Sequence, residues 1–215
     1  MKPWLVAHRG ASHFEKENTL AAIKKSSKFK AGYIEIDIRV TQDNVAVLFH
    51  DASVKDRKIS MTNYSDLKKL DKDLLTLEEL DKAITNEIFF VELKSKKSAD
   101  FVAPFLIKHA ESFACSFLPS ALLALSKNGV DKSRMYLAQH GYPIKIIENT
   151  QKHGFGGISM SKWFLAPWSY YRIKKRGLNL FVYTVNNKTW ARLLHSLSDD
   201  IKICSDRIDI LKELK

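Results

Sequence analysis

Short runs rich in Val, Ile, Phe and Tyr alternate along this chain with longer stretches whose apolar residues recur at helical spacing, and the alternation persists to the C-terminus. Eight runs predict strands: Trp4–His8, Tyr33–Arg39, Ile88–Lys94, Phe113–Phe117, Arg134–Gln139, Gly157–Met160, Leu180–Val185 and Ile201–Ser205. Helices are predicted between them, notably over Asn18–Phe29, Ala99–Glu111, Pro119–Lys127, Ile144–His153, Phe164–Lys175 and Lys188–Leu197. A further apolar run, Val45–His50, follows the turn-like Gln42-Asp43-Asn44 and predicts a hairpin or a continuation that brings His50 back towards the second strand. Eight strands with intervening helices predict an α/β fold, a (β/α)8 barrel, with an open doubly wound sheet as the competing arrangement. No linker or low-complexity tract divides the chain, so residues 1–215 are read as one domain with only a small insertion after the second strand.

Side-chain alternation sorts the strands into faces. In Tyr33–Arg39, Glu35 and Asp37 share one face while Ile34, Ile36 and Ile38 share the other, and Glu92 and Lys94 share a face opposite Val91 and Leu93. The isoleucines meet the helices, so the carboxylates point inward. Uncompensated buried ions cost several kcal/mol each, which argues that a metal or ligand meets them. These residues and His8 lie near the C-terminal ends of their strands, where barrel active sites are built.

The chain's 45% hydrophobic content is that of an ordinary globular protein, and 215 residues suffice for one well-buried domain. A formal net charge of +11 suits polyanionic partners: nucleic acid, an anionic membrane surface or a phosphorylated small molecule. The basic clusters Lys24, Lys25, Lys28, Lys30 and Arg172, Lys174, Lys175, Arg176 read as solvated helix faces. Aromatic residues do not interleave with them as a base-stacking platform would, which argues against nucleic acid. Cys115 and Cys204 lack the spacing of a zinc or redox motif and read as small core residues in a reducing compartment. The first residues are too short an apolar run for a leader, and no stretch approaches the ~20 residues of a membrane span. A cytoplasmic protein is expected.

The chemistry gathers in five short elements: His8-Arg9-Gly10, Glu17-Asn18-Thr19, Glu35-Ile36-Asp37, His50-Asp51 and Glu92-Leu93-Lys94. Hydrolysis of a phosphodiester needs a base for the attacking hydroxyl and an acid for the departing alkoxide, and His8 with His50 supplies such a pair near neutral pH. Glu35, Asp37 and Glu92 offer oxygen ligands with no thiolate among them, which favours one divalent cation, Mg²⁺ or Ca²⁺, over zinc. The competing reading is an ion-pair network with Arg9, Arg39 and Lys94. Arg9 and Lys94 are candidates for the phosphate oxygens. Asn18 or Thr19 is either a helix cap or, with Glu17, a support for His8 or the substrate. Phe181, Tyr183 and Val185 fall on one face of the seventh predicted strand; if it is inward, Tyr183 meets the substrate, and core packing is the other reading.

These motifs, in this order, resemble the glycerophosphodiester phosphodiesterase family of metal-dependent TIM barrels, which release glycerol 3-phosphate from deacylated phospholipids. The resemblance runs nearly end to end, adding Leu77-Glu78-Glu79, Ser116-Phe117, Tyr183-Thr184-Val185-Asn186 where the family has WTVN, and Ser205-Asp206-Arg207-Ile208-Asp209 where it has TDRPD. It implies His8 and His50 as the acid–base pair, Glu35, Asp37 and Glu92 as metal ligands, and Arg9 and Lys94 as phosphate contacts. It also implies a small-molecule substrate such as glycerophosphocholine or glycerophosphoethanolamine. The departures are Val54–Ser60 in place of an RTT element, Tyr183 for tryptophan and Ile208 for proline; they bear on the alcohol recognised and remove no acid, base or ligand. The short segment between His50 and Glu92 implies a modest lid. Two alternatives stand beside this reading. One is a lysophospholipase D-type hydrolase with an apolar channel lined by Trp163, Phe164, Trp168 and Tyr170; the other is a non-catalytic barrel that binds anionic lipid through its basic helices, with transient membrane contact.

Overall fold

A computed structural model describes residues 2–214. In chain order its strands are β1 (Lys2–Ala7), β2 (Ala31–Val40), β3 (Ala46–Leu48), β4 (Ser53–Val54), β5 (Arg57–Lys58), β6 (Phe89–Leu93), β7 (Phe113–Ser116), β8 (Met135–Ala138), β9 (Gly157–Ser161), β10 (Asn179–Tyr183) and β11 (Lys202–Ser205). The helices are α1 (Leu20–Lys28), α2 (Tyr64–Leu70), α3 (Leu77–Ala83), α4 (Ser98–Lys108), α5 (Pro119–Lys127), α6 (Pro143–His153), α7 (Pro167–Lys175), α8 (Lys188–Leu197) and α9 (Ile208–Leu211).

Strands β1, β2 and β6 to β11 pair in parallel in that order, and β1 pairs with both β2 and β11, so the sheet closes on itself. Closure excludes the open sheet and gives the eight-stranded barrel that the hydrophobic pattern predicts. β3 adds to β2 antiparallel, with Ile38 opposite Leu48 and Val40 opposite Ala46, so the predicted hairpin forms and carries the chain back to His50 at the strand ends.

The alternation of faces is realised on both sides of the wall. Outside, Ile34, Ile36, Ile38, Val91 and Leu93 join the large cluster shared with the helices. Inside, Val6, Phe90, Cys115, Tyr136, Phe181 and Cys204 fill the barrel, with Phe90 stacked on Phe113 at 5.0 Å between ring centres. Gly157 makes room for this filling: a Cβ there would lie 2.5 Å from the Tyr136 ring. Both cysteines are free and belong to this interior layer, as expected. The polar residues of the site stand above this apolar plug.

The structure departs from the sequence expectations in four places. α1 starts at Leu20 because Asn18 is left-handed, with φ of 57°, and Thr19 caps the helix through Ala22 N. α7 starts at Pro167, which suits a first turn, and Lys162–Phe164 form a separate 3-10 turn. The insertion after β3, read as a short segment forming a modest lid, gathers α2 and the β4–β5 hairpin around an apolar cluster of Val47, Val54, Ile59, Leu67 and Leu74, and adds α3, whose Leu77 and Leu80 join the outer cluster. Val185, grouped with Tyr183 in the sequence, packs in the outer cluster after β10 has ended.

Candidate active site

Parallel register sets Asp37 of β2 beside Glu92 of β6, two residues above Glu35, so all three carboxylates project into the barrel mouth. Oxygens of Glu35, Asp37 and Glu92 lie within 4.8 Å of one another. Glu35 is only 4% exposed, and burial together with Asp37 and Glu92 pushes its carboxyl well above the usual range. Burial and Asp37 raise Glu92 as well, against the pull of Lys94. Asp37 goes the other way: burial would raise it, yet Lys94, Asn18 and Arg9 together hold it below its ordinary value. Three carboxylates that resist joint ionisation, all hard oxygen donors, suit a divalent cation better than they suit one another.

Two cations border the trio. Lys94 Nζ lies 2.8 Å from Asp37 Oδ1 and also bonds Glu92. Burial alone would lower Lys94, but these two carboxylates raise it, so the ammonium stays charged. Arg9 sits in the left-handed turn after β1, with φ of 55°, and its backbone N–H donates to Glu35 at 2.9 Å. Its guanidinium bonds Glu17 at 2.8 Å, and its buried Nε lies 3.5 Å from Asp37 with no hydrogen-bond partner among the described residues. The next residue, Gly10, has φ of 83° and lies so close to α1 that a Cβ would meet Ala22 at 2.8 Å. The ion-pair reading is therefore realised in part, through Arg9 and Lys94. Arg39 instead donates twice to the His50 carbonyl, at 3.0 and 2.7 Å, and holds that loop.

His8, Arg9, Glu35, His50, Glu92, Lys94 and Tyr183 all line one cavity of about 210 Å³ at the mouth. Asn18 is buried one step behind it, clamping Asp37 by donating to Oδ2 at 2.9 Å and accepting the Asp37 N–H at 3.1 Å. Glu17 is joined to Arg9 and does not line the cavity. Tyr183 turns into the site a buried hydroxyl with no hydrogen-bond partner among the described residues, and burial raises its pKa. His50 Nδ1 meets Asp51 at 2.8 Å at the more open side.

Sequence reasoning gave no role to Asp206, whose Oδ1 sits 2.6 Å from His8 Nδ1. Asn186 donates to its other oxygen at 2.7 Å, and Ser12 reaches Oδ1 at 3.4 Å. Burial would raise the Asp206 carboxyl, but bonding to His8, Asn186 and Ser12 brings it down to about 2. The signal was present in Ser205-Asp206-Arg207, but only closure of β11 against β1 reveals that Asp206 faces His8. His140 was also unforeseen; it lines the cavity and packs on Phe117 at 4.7 Å.

A closed parallel barrel with an oxygen-ligand trio, two imidazoles and two cations at its C-terminal mouth defines an enzyme of the phosphoric diester hydrolase class. Residues 8–111, just under half of the chain, match the model of the glycerophosphoryl diester phosphodiesterase family, which the chain resembles. The Bacillus subtilis protein YhdW, named as a candidate glycerophosphodiester phosphodiesterase, is 27% identical over 92% of each chain. Among solved structures, a Thermotoga maritima glycerophosphodiester phosphodiesterase superposes with a TM-score of 0.83 at 24% identity, covering 99% of this chain and 98% of that one. An Oleispira antarctica phosphodiesterase, solved in complex with sn-glycerol-3-phosphate, also gives 0.83, at 20% identity over 98% and 95% of the two chains. Both likenesses bear out the barrel fold.

Proposed function

We propose that the chain hydrolyses glycerophosphodiesters such as glycerophosphocholine or glycerophosphoethanolamine to glycerol 3-phosphate and an alcohol, in the cytoplasm. The observation that carries this reading is the acidic trio, two of whose members, Glu35 and Glu92, line one small cavity with Arg9, Lys94 and both imidazoles. Glu35, Asp37 and Glu92 would hold one Mg²⁺ or Ca²⁺, which when bound supplies polarisation of a phosphoryl oxygen. Arg9 and Lys94 meet the non-bridging oxygens and offset the charge that gathers on them in the transition state. Of His8 and His50, one accepts the proton of the attacking hydroxyl and the other returns a proton to the departing alkoxide oxygen. The nucleophile is either the substrate's own glycerol 2-hydroxyl, giving a cyclic phosphate that water then opens, or water directly. Tyr183 contacts the substrate through its unpartnered hydroxyl, while Glu17 and Asn18 act through Arg9 and Asp37.

The test is glycerol 3-phosphate release from glycerophosphocholine by the purified protein with Mg²⁺, Ca²⁺ or EDTA, alongside His8→Ala and Glu35→Ala. Metal-dependent release that both substitutions abolish is the expected result. Absence of release with either cation, with turnover of a lysophospholipid instead, would replace it by the lysophospholipase D reading, which the exposed Trp163 and Phe164 beside the mouth favour.

A further inference from the structure

From residue 149 to residue 198 the chain contains no Asp or Glu, and it carries eight Lys or Arg and three of the four tryptophans. The fold gathers these residues on one sector, formed by the turn after β9 and the outer faces of α7 and α8. Trp163 is 73% exposed, Tyr171 65% and Trp168 47%, and Leu193 and Leu197 are exposed one turn apart on α8. The two helices are neighbours, with the Tyr170 hydroxyl donating to Leu197 O, and Trp163 meets the Trp190 ring edge-on at 6.1 Å. Cations sit against the aromatics: Lys162 Nζ lies 5.1 Å from the Trp163 ring centre and the Arg172 guanidinium 5.7 Å from that of Trp168. Lys174 and Lys188 pair with Asp200 and Glu213, leaving Lys162, Arg172, Lys175, Arg176 and Arg192 as an excess of positive charge among the described residues.

We infer that this sector docks on an anionic lipid surface. Amphipathic aromatics with one apolar and one wet side favour the headgroup boundary, and lysine and arginine beside them favour anionic lipid. A second copy of the chain would bring the same positive charge against itself, and nucleic acid would leave Leu193 and Leu197 unused. The sector also adjoins the mouth. Ser159 of β9 lines the catalytic cavity, Lys162 follows directly after the strand, and α8 begins at that same end. Docking through the Trp163 and Trp168 edge of the sector therefore turns the cavity mouth towards the headgroup layer. The inference stands on its own residues and does not depend on the reaction assigned to the site.

Co-sedimentation with vesicles of equal parts phosphatidylglycerol and phosphatidylcholine, against pure phosphatidylcholine, tests it. Binding is expected only to the anionic vesicles, weakening as salt rises, with a blue shift of tryptophan emission. Trp163→Ala with Trp168→Ala, and separately Arg172→Glu with Lys175→Glu, should each lower partitioning by about tenfold or more. Turnover of soluble glycerophosphocholine should be unchanged in the Arg172→Glu, Lys175→Glu pair. Lys28→Glu with Lys30→Glu, the same charge change at the end of α1 on another sector of the barrel, should leave partitioning within about twofold. Equal binding to both vesicle types, or equal losses from the two charge-reversed pairs, would overturn the inference.

Discussion

Replacing Asp206 by Asn tests whether the His8 imidazole works as a free ring or as one held by a partner. The carboxylate accepts at Nδ1 over 2.6 Å, which assigns the proton to Nδ1 and leaves Nε2 as the basic nitrogen. An asparagine of the same size turns an NH2 towards Nδ1, reverses that assignment and removes the negative charge beside an imidazolium. The backbone should not move, because the N–H of residue 206 still donates to Asn186 Oδ1 at 3.0 Å. Positioned acid–base groups contribute about 10²–10⁴ in rate, so kcat for glycerophosphocholine should fall by roughly 10²–10³, or ~3–4 kcal/mol, with KM changed by less than about threefold. Stability supplies an independent reading. The carboxyl is held at about 2 against an ordinary 3.8, so it stabilises the fold above its unfolded value and loses that contribution as pH falls towards 2. The side chain is 36% exposed, and solvent screening leaves about 1 kcal/mol of this. Urea melts should therefore show a constant gap between wild type and Asp206→Asn above about pH 4 that closes below it. A kcat within about threefold of wild type would refute the positioning role. Rescue of His8→Gly by added imidazole to the same extent with and without Asp206→Asn would refute it as well.

Three further outcomes follow from the same geometry. Glu35→Gln removes one of three crowded carboxylates, so the metal-free variant should melt about 2–4 °C higher than wild type, while Mg²⁺ or Ca²⁺ should raise the melting temperature of the wild type alone; equal metal responses would count against the trio as ligands. Tyr183→Phe deletes a buried hydroxyl that has no protein partner, so KM should rise about tenfold with stability unchanged or slightly improved, as read by steady-state kinetics and calorimetry; an unchanged KM would return Tyr183 to plain packing. Gly157→Ala drives a methyl to 2.5 Å from the Tyr136 ring and should cost about 2–3 kcal/mol in a denaturant melt, whereas Gly141→Ala, with open space around it, should cost only the strain of its positive φ.

Much of the architecture could be read in the chain because the barrel rests on a binary choice repeated at every strand. Ile34, Ile36 and Ile38 could bury only against helices, which forced Glu35 and Asp37 inward, and a one-residue slip would have exposed the entire set. What the pattern could not carry was contact across closure. His8 and Asp206 are separated by 198 positions, and only the pairing of the first strand with the last brings them within 2.6 Å. The elements of the insertion were obscured for a different reason. Leu67, Leu70, Leu74 and Leu80 are interspersed with so many Lys, Asp and Glu that the stretch shows no clear period, although α2 packs Leu67 and Leu70 on the cluster that holds Val47 and Leu74, and α3 buries Leu80 in the outer wall. The aromatic and basic sector of α7 and α8 was hidden by spacing. Trp163 and Trp190 lie 27 positions apart, yet adjacent βα units set their rings edge to edge, so a surface that looks like scattered residues in the chain is continuous in the fold. Barrel chemistry and barrel surface thus share one cause: closure and the parallel repeat turn residues distant in the chain into neighbours at the same end.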